Sequence, residues 1–202
     1  MHDYQPFSVI GFHSCDKEVG LRVLNGHDEL LPSQNAWDWL GEGIYFWEQN
    51  PLRALEYATE SANRNQFNKK PINKPFVLGA IIDLGNCLNL VESSSLKILS
   101  ASFEELKKLH EVAGKRMPVN KRNNRELDCA VIQYLHQSNI QKKRTEYDTV
   151  RCAFPEGEQA YPDSHISSRL HIQVCVRNPA CIKGFFLPRP VDKFNPMLQI
   201  HG

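Results

Sequence analysis

The chain has 202 residues, a formal net charge of +1, and 41% hydrophobic against 23% charged residues, which suits one domain burying roughly 70% of its unfolded surface. No apolar run approaches the roughly 20 residues that cross a bilayer, and the polar start Met-His-Asp-Tyr-Gln-Pro lacks a basic segment ahead of an apolar core, so a soluble, cytoplasmic protein without membrane contact is expected. A charge this close to zero gives no global field for polyanions, and any nucleic-acid contact must be local.

The first apolar run, Phe7 to Phe12, reads as a strand ending in His13-Ser14-Cys15. Asp16 then caps a short helix carrying Val19, Val23 and Leu24, with Gly26 as its stop. A turn-rich aromatic stretch from Leu31 to Leu40 leads into Gly41-Glu42-Gly43-Ile44-Tyr45-Phe46-Trp47, where glycines followed by β-branched and aromatic residues predict a tight turn delivering a strand. Asn50-Pro51 opens the next helix, with a favoured cap and a preorganised first residue, and Leu52, Leu55, Tyr57, Ala58 and Ala62 as its apolar positions. After a polar loop from Asn63 to Lys74, Phe76 to Leu84 is the most strand-like run. Helices are predicted over Ser102 to Ala113 and Arg125 to Gln137, and strands over Thr149 to Phe154, Leu170 to Arg177 and Ile182 to Leu187. Strands at both ends with helices between them argue for a mixed α+β domain over residues 1–190. The segment 191–202, close to Pro188 and Pro190 and containing Pro196, reads as a loose tail.

Cys15, Cys87, Cys129, Cys152, Cys175 and Cys181 lie far apart without a CxxC pair. They are expected to be reduced thiols, mostly buried, with neither a disulfide framework nor a bound metal.

Two tyrosines, Tyr45 on a strand and Tyr57 on the following helix, are placed to clamp a flat ring between them, as aromatic pairs favour stacked geometry. With His13 ending the first strand, the order Phe12-His13-Ser14, then Gly41-Glu42-Gly43-Ile44-Tyr45-Phe46, then Ala54-Leu55-Glu56-Tyr57-Ala58 resembles the ADP-ribosyltransferases of the diphtheria-toxin and poly(ADP-ribose) polymerase type. The strong part spans Gly11 to Ala58. The resemblance implies two small face-packed β-sheets splayed into an NAD cleft, with helices on the flanks. It further implies that His13 bonds the adenosine-side ribose, that the backbone of Ser14 meets the nicotinamide carboxamide beside Gly43, and that Tyr45 and Tyr57 sandwich the nicotinamide ring. Ser14 replaces the family's usual glycine, and Ala54 falls near the family's carboxamide-binding serine.

The third catalytic member opens a late strand in that family, and Gln173, followed by Val174-Cys175-Val176, matches it best. Glutamine resembles members that transfer a single ADP-ribose unit. Its amide donates and accepts but lacks the charge that steadies an oxocarbenium ion. Glu158 in Pro155-Glu156-Gly157-Glu158-Gln159 is the competing acid, by its likeness to the Glu-x-Glu of arginine-modifying toxins; a surface turn is the plain alternative for both Glu156 and Glu158.

The function this implies is mono-ADP-ribosylation with NAD as substrate, by a toxin or antiviral effector acting on a protein or nucleic acid, with an antitoxin or regulator as a candidate partner. A hydrolytic NADase and a non-catalytic binder of NAD or ADP-ribose ends are the alternatives. Two basic runs, Asn120-Lys121-Arg122-Asn123-Asn124-Arg125 and Gln141-Lys142-Lys143-Arg144, offer phosphate contacts or simply solvated loops. The rings of Trp37, Trp39, Phe46 and Trp47 offer either a base-stacking surface or core.

Overall fold

Turn and cap chemistry sets most of the element boundaries in the computed structural model, which describes residues 7–64, 72–121 and 124–198. Strand β1 (Ser8–Asp16) hands over to helix α1 (Lys17–Leu24) at Asp16, whose carboxylate accepts the Glu18 backbone N–H. The helix is followed by Gly26, in the left-handed region at φ 71°. Strand β2 (Ile44–Glu48) leads to α2 (Pro51–Asn63), where the Asn50 side chain accepts from the Arg53 N–H at 3.0 Å and Pro51 starts the first turn. Next come β3 (Pro75–Asp83), a three-residue β4 (Cys87–Asn89), α3 (Ser93–Val112), α4 (Glu126–Gln141), the long pair β5 (Thr149–Gln159) and β6 (Ser167–Val176), β7 (Ile182–Phe186), and a short α5 (Val191–Phe194).

All described strands join one seven-stranded sheet in the order β4-β5-β6-β2-β1-β3-β7. Only β4 and β5 run parallel; every other neighbouring pair is antiparallel. The mixed α+β class is therefore as expected, but one hydrogen-bonded sheet stands where the resemblance implied two face-packed ones. Its weakest seam is the junction of β1 and β2. There the register holds just Gly11↔Glu48 and Phe12↔Trp47, whereas β1 and β3 pair from Ser8↔Asp83 through to Asp16↔Pro75.

Side chains alternate across the sheet with a period of two. One face carries Val9, Phe46, Leu78, Ala80, Ile82, Val174 and Val176, covered by Val23 of α1. On the other, Ala54 of α2 packs on Phe12, Trp47 and Val77, and Ile132 and Leu135 of α4 pack on Leu88, Val150 and Cys175.

Three stretches depart from the sequence-based expectation. Helix α3 begins at Ser93, nine residues before the predicted Ser102: serines favour caps and turns, yet Ser95 and Ser102 are buried inside the helix, and the Ser102 hydroxyl donates to the Ile98 carbonyl at 2.9 Å. Strands β5 and β6 extend to Gln159 and from Ser167, absorbing the Pro155–Gln159 segment into the ladder. A register shift between Glu156 and Gln159 accommodates Gly157 at φ 81°. The expected loose tail is docked from Val191 to Leu198. Asn195, fully buried, accepts from the Val77 N–H at 2.7 Å and donates to the Val77 carbonyl at 3.0 Å, just beyond the end of β7.

The six cysteines are all free thiols, four buried and two half-buried. Burial pushes Cys15 up to about 12 and Cys129 and Cys181 up to about 11, so these behave as apolar filling.

His136 is the most consequential polar group in the core. It is 1% exposed, both ring nitrogens lack a hydrogen-bond partner, and burial followed by the Arg177 charge pushes its pKa down to about 3. A histidine held neutral contributes stability that is fully present above its unfolded pKa and is lost as pH falls through the window from about 6.5 toward the folded value. Lowering the pH from 7 to 5 is accordingly expected to remove about 2 kcal/mol through this group. Urea titrations of wild type and His136→Phe at both pH values check this; an equal loss in the two proteins would assign the acid sensitivity elsewhere.

Candidate active site

The seam between β1 and β2 brings His13 and Ser14 of β1 to the Tyr45 carbonyl of β2 and the first turn of α2. Beyond Phe12↔Trp47 the two strands no longer pair, and the His13 ring spans the gap, its Nδ1 donating to the Tyr45 carbonyl at 2.8 Å. Because a carbonyl only accepts, Nδ1 carries the proton and Nε2 is left as the acceptor of the neutral ring. Burial lowers the His13 pKa, opposed by the bond to Tyr45, and keeps that neutral form at pH 7. The ring lies 5.6 Å from that of Phe46. The Ser14 hydroxyl donates to the Ala54 carbonyl, tying β1 to the first turn of α2. At both positions that depart from the family pattern, Ser14 and Ala54, the chain thus makes a contact of its own.

Tyr45 and Tyr57 each have a neighbour other than one another. The Tyr45 hydroxyl donates to the Gly41 carbonyl at 2.6 Å and accepts from the Leu40 N–H at 2.9 Å, so it braces the turn that delivers β2. Burial, reinforced by Cys175, drives its pKa up, and the phenol stays protonated. In that turn Gly43 lies against β6: a Cβ there would sit 2.5 Å from the Cys175 sulfur and 2.7 Å from the Val176 carbonyl oxygen, an approach that glycine alone permits. Tyr57 packs one side of its ring against Trp47, tilted at 45° with centroids 5.0 Å apart, and is 47% exposed.

Gln173 pairs with Trp47 across β2 and with Cys152 across β5, which puts the three side chains on one face of the sheet. It is half-buried, and its side-chain nitrogen lies 3.2 Å from His171 Nε2. Behind this pair sits a charged group missed in the sequence. Arg53, only 6% exposed, donates to Glu156 at 2.8 Å, stands 3.8 Å from Glu56, and lies 6.0 Å from the Trp47 ring. His171 Nδ1 is 3.7 Å from the same Glu156 oxygen. Sequence reasoning assigned α2 an apolar face with Leu52 and Tyr57, but those two are exposed and Arg53 is buried beside Ala54 and Ala58. One signal was available: in Arg169-Leu-His171-Ile-Gln173 the polar residues alternate, which places His171 beside Gln173 on one face.

Glu158, the alternative acid, is exposed past the bulge, and its backbone N–H donates to the Ser168 hydroxyl at 3.2 Å. Glu156, not Glu158, reaches the Gln173 side. Of the aromatic segment, Phe46 and Trp47 are core and Trp39 packs 4.7 Å from Phe154 with Arg125 5.0 Å above it, while Trp37 is 49% exposed. In the first basic run Asn120 accepts from the Leu127 N–H at 3.0 Å, at the start of α4, and 122–123 lie outside the described residues. In the second, Lys142 is paired with Glu105 at 3.0 Å. Among the described residues no three His, Cys, Asp or Glu side chains converge as metal ligands, and no helix is long and apolar enough to cross a membrane. A groove of about 830 Å³ opens on the other end of the molecule, between α3, α4 and Asn86, and shares no residue with the seam.

The chain is 26% identical to the uncharacterized protein MJ0359 of Methanocaldococcus jannaschii over 212 aligned residues, which cover 94% of this chain and 93% of the archaeal one. No family model and no solved structure matches the chain.

Proposed function

We propose that the chain is an NAD-dependent mono-ADP-ribosyltransferase whose cleft is the seam between β1 and β2. The observation that carries this reading is the parting of the two strands next to His13, with the Tyr45 turn on one side, Gln173 on the next strand and the tilted Tyr57–Trp47 ring pair between α2 and β2.

Breaking the bond between nicotinamide and ribose leaves the bonding pair on the nicotinamide nitrogen and positive charge on the anomeric carbon, which an acceptor's lone pair then captures as its proton is lost. In this chain, Nε2 of His13 accepts a ribose hydroxyl. The edge of β1 that faces β2 has no β2 partner past Phe12, and there the Ser14 backbone would meet a carboxamide, while the exposed side of Tyr57 offers a surface for the ring. Tyr45 acts by bracing the turn, because both sides of its hydroxyl are already engaged. Fixing the leaving group against a rigid strand orients the anomeric carbon, which is how positioning lowers the barrier. The lack of a carboxylate at Gln173 favours transfer of single units, and it equally suits a binder of NAD or ADP-ribose ends.

Nicotinamide release from labelled NAD, alone and with protein or RNA from lysate, tests the proposal. Label on an acceptor supports a transferase, label in free ADP-ribose an NADase, and uncleaved but bound NAD a binder. Millimolar NAD is expected to raise the melting temperature, since a ligand held by the native state alone stabilises it by mass action. No thermal shift and no calorimetric heat would remove the cleft assignment altogether.

A further inference from the structure

An amide side chain has a donating and an accepting end, and which of them Gln173 presents to a substrate decides its chemistry. We propose that His171 is a positioning residue that locks the Gln173 amide with its nitrogen inward and its carbonyl oxygen outward, making Gln173 an acceptor for a sugar hydroxyl. The substrate role rests on the NAD-cleft reading; the amide orientation stands on the geometry alone.

The orientation follows from a chain of donors and acceptors. His171 Nδ1 lies 2.8 Å from the Arg169 carbonyl oxygen, which can only accept, so Nδ1 bears the proton. The Glu156 carboxylate, 3.7 Å from the same nitrogen, favours it there too. The lone pair of the neutral ring is then on Nε2, which faces the Gln173 amide at 3.2 Å. An amide oxygen at that point would set lone pair against lone pair; the NH2 group donates instead. The carbonyl oxygen is left facing away from His171, on the sheet face shared with Trp47 and Cys152.

This arrangement is a property of neutral His171. The side chain is fully covered, with Phe154 6.0 Å away, and burial lowers its pKa. Of the charges facing it, the carboxylate of Glu156 on β5 raises the pKa and Arg53 on α2 lowers it; Arg169, on its own strand, is paired with Glu60 of α2 at 2.9 Å. Protonation turns Nε2 into a donor, which draws the amide oxygen inward and swings the NH2 group out, so the acceptor is withdrawn. Substrate turnover should thus rise with pH through an ionisation below the ordinary imidazole value of about 6.5.

Two measurements on the full-length protein test this. Nitrogen-15 spectra of the histidine rings, with His171 identified by its absence in His171→Phe, should show a protonated Nδ1 and an unprotonated Nε2, and the Gln173 side-chain amide signals should shift as His171 titrates. The opposite tautomer, or Gln173 signals indifferent to that titration, overturns the proposal whatever the enzyme does. In nicotinamide release, wild type should lose kcat on the acid side, and His171→Phe should be slower by about tenfold to a hundredfold, the scale for losing an outer partner of a functional group, with a weakened acid limb, the remainder belonging to His13, and an NAD KM within about twofold. An acid limb unchanged in His171→Phe also overturns it. If wild type releases no nicotinamide, the transferase reading fails while the ring spectra still decide the orientation.

Discussion

Gln173→Ala is expected to slow nicotinamide release by about a hundredfold or more, the scale for removing one preorganised partner from a site where charge develops. Stability should change little, because Gln173 is half-buried, belongs to none of the apolar clusters, and leaves the backbone ladder to Trp47 and Cys152 intact. NAD affinity should also hold, since the contact matters most as the ribose gains charge. Gln173→Glu supplies a carboxylate and is expected to keep or raise NAD hydrolysis. It also places an anion against His171 Nε2, which would draw a proton onto that ring and remove the His171 part of the acid limb expected of wild type. Glu158→Gln is the control: the residue is exposed beyond the β5 bulge, and its loss should leave release unchanged. Active Gln173→Ala beside inactive Glu158→Gln would move the third catalytic role to β5.

Legibility in the sequence tracked how local the physics is. Asp16, Asn50-Pro51 and Gly26 act within a turn of their own helices, and each does what its residue type predicts. The apolar run Phe7 to Phe12 and the alternation in Leu170 to Val176 likewise mark strands without help from elsewhere. What stayed hidden depends on partners far along the chain. Ser93 to Ser95 lay outside the helix predicted from Ser102, because serine competes for its own backbone, and packing of α3 on α4 favours helix there. The docked tail rests on one amide, Asn195, meeting Val77 across 118 residues, a match no local pattern announces.

The candidate site divides along the same line. His13, Gly43, Tyr45 and Tyr57 were visible as a spaced motif. The pairing of Gln173 with Trp47 was not, because register between β2 and β6 joins segments 126 residues apart (173 − 47). Arg53 was least visible of all. In sequence it is a cation in an amphipathic helix, expected on the wet face, and it is inside because Glu156 comes from the other end of the chain to meet it.

That pairing leads to the largest stability effect. Glu156→Ala is expected to destabilise the fold by about 3 kcal/mol, the lower end of the range for breaking a buried ion pair, because water retains some access to a carboxylate that is 23% exposed. Among the described residues Arg53 would then keep Glu56 as its carboxylate, 3.8 Å from Nη1 and 39% exposed, while Nε and Nη1 already lack hydrogen-bond partners. The loss thus comes mainly from a guanidinium left without its counter-charge in a dry place, not from the value of the bond itself. If so, removing both charges should undo most of the damage: Arg53→Met with Glu156→Leu is expected within about 1 kcal/mol of wild type, giving a coupling energy well above the few tenths typical of independent sites. Urea unfolding of the two single variants and the double one measures this. Single and double variants that simply add would show that the pair is bathed in solvent and that Arg53 does not depend on Glu156. Glu156→Ala also removes the carboxylate facing His171 Nδ1 while leaving Arg53 in place, so in that single variant the His171 titration should move further down, and in the double variant the loss of Arg53 offsets the shift. That shift links the ion pair under α2 to the orientation of Gln173.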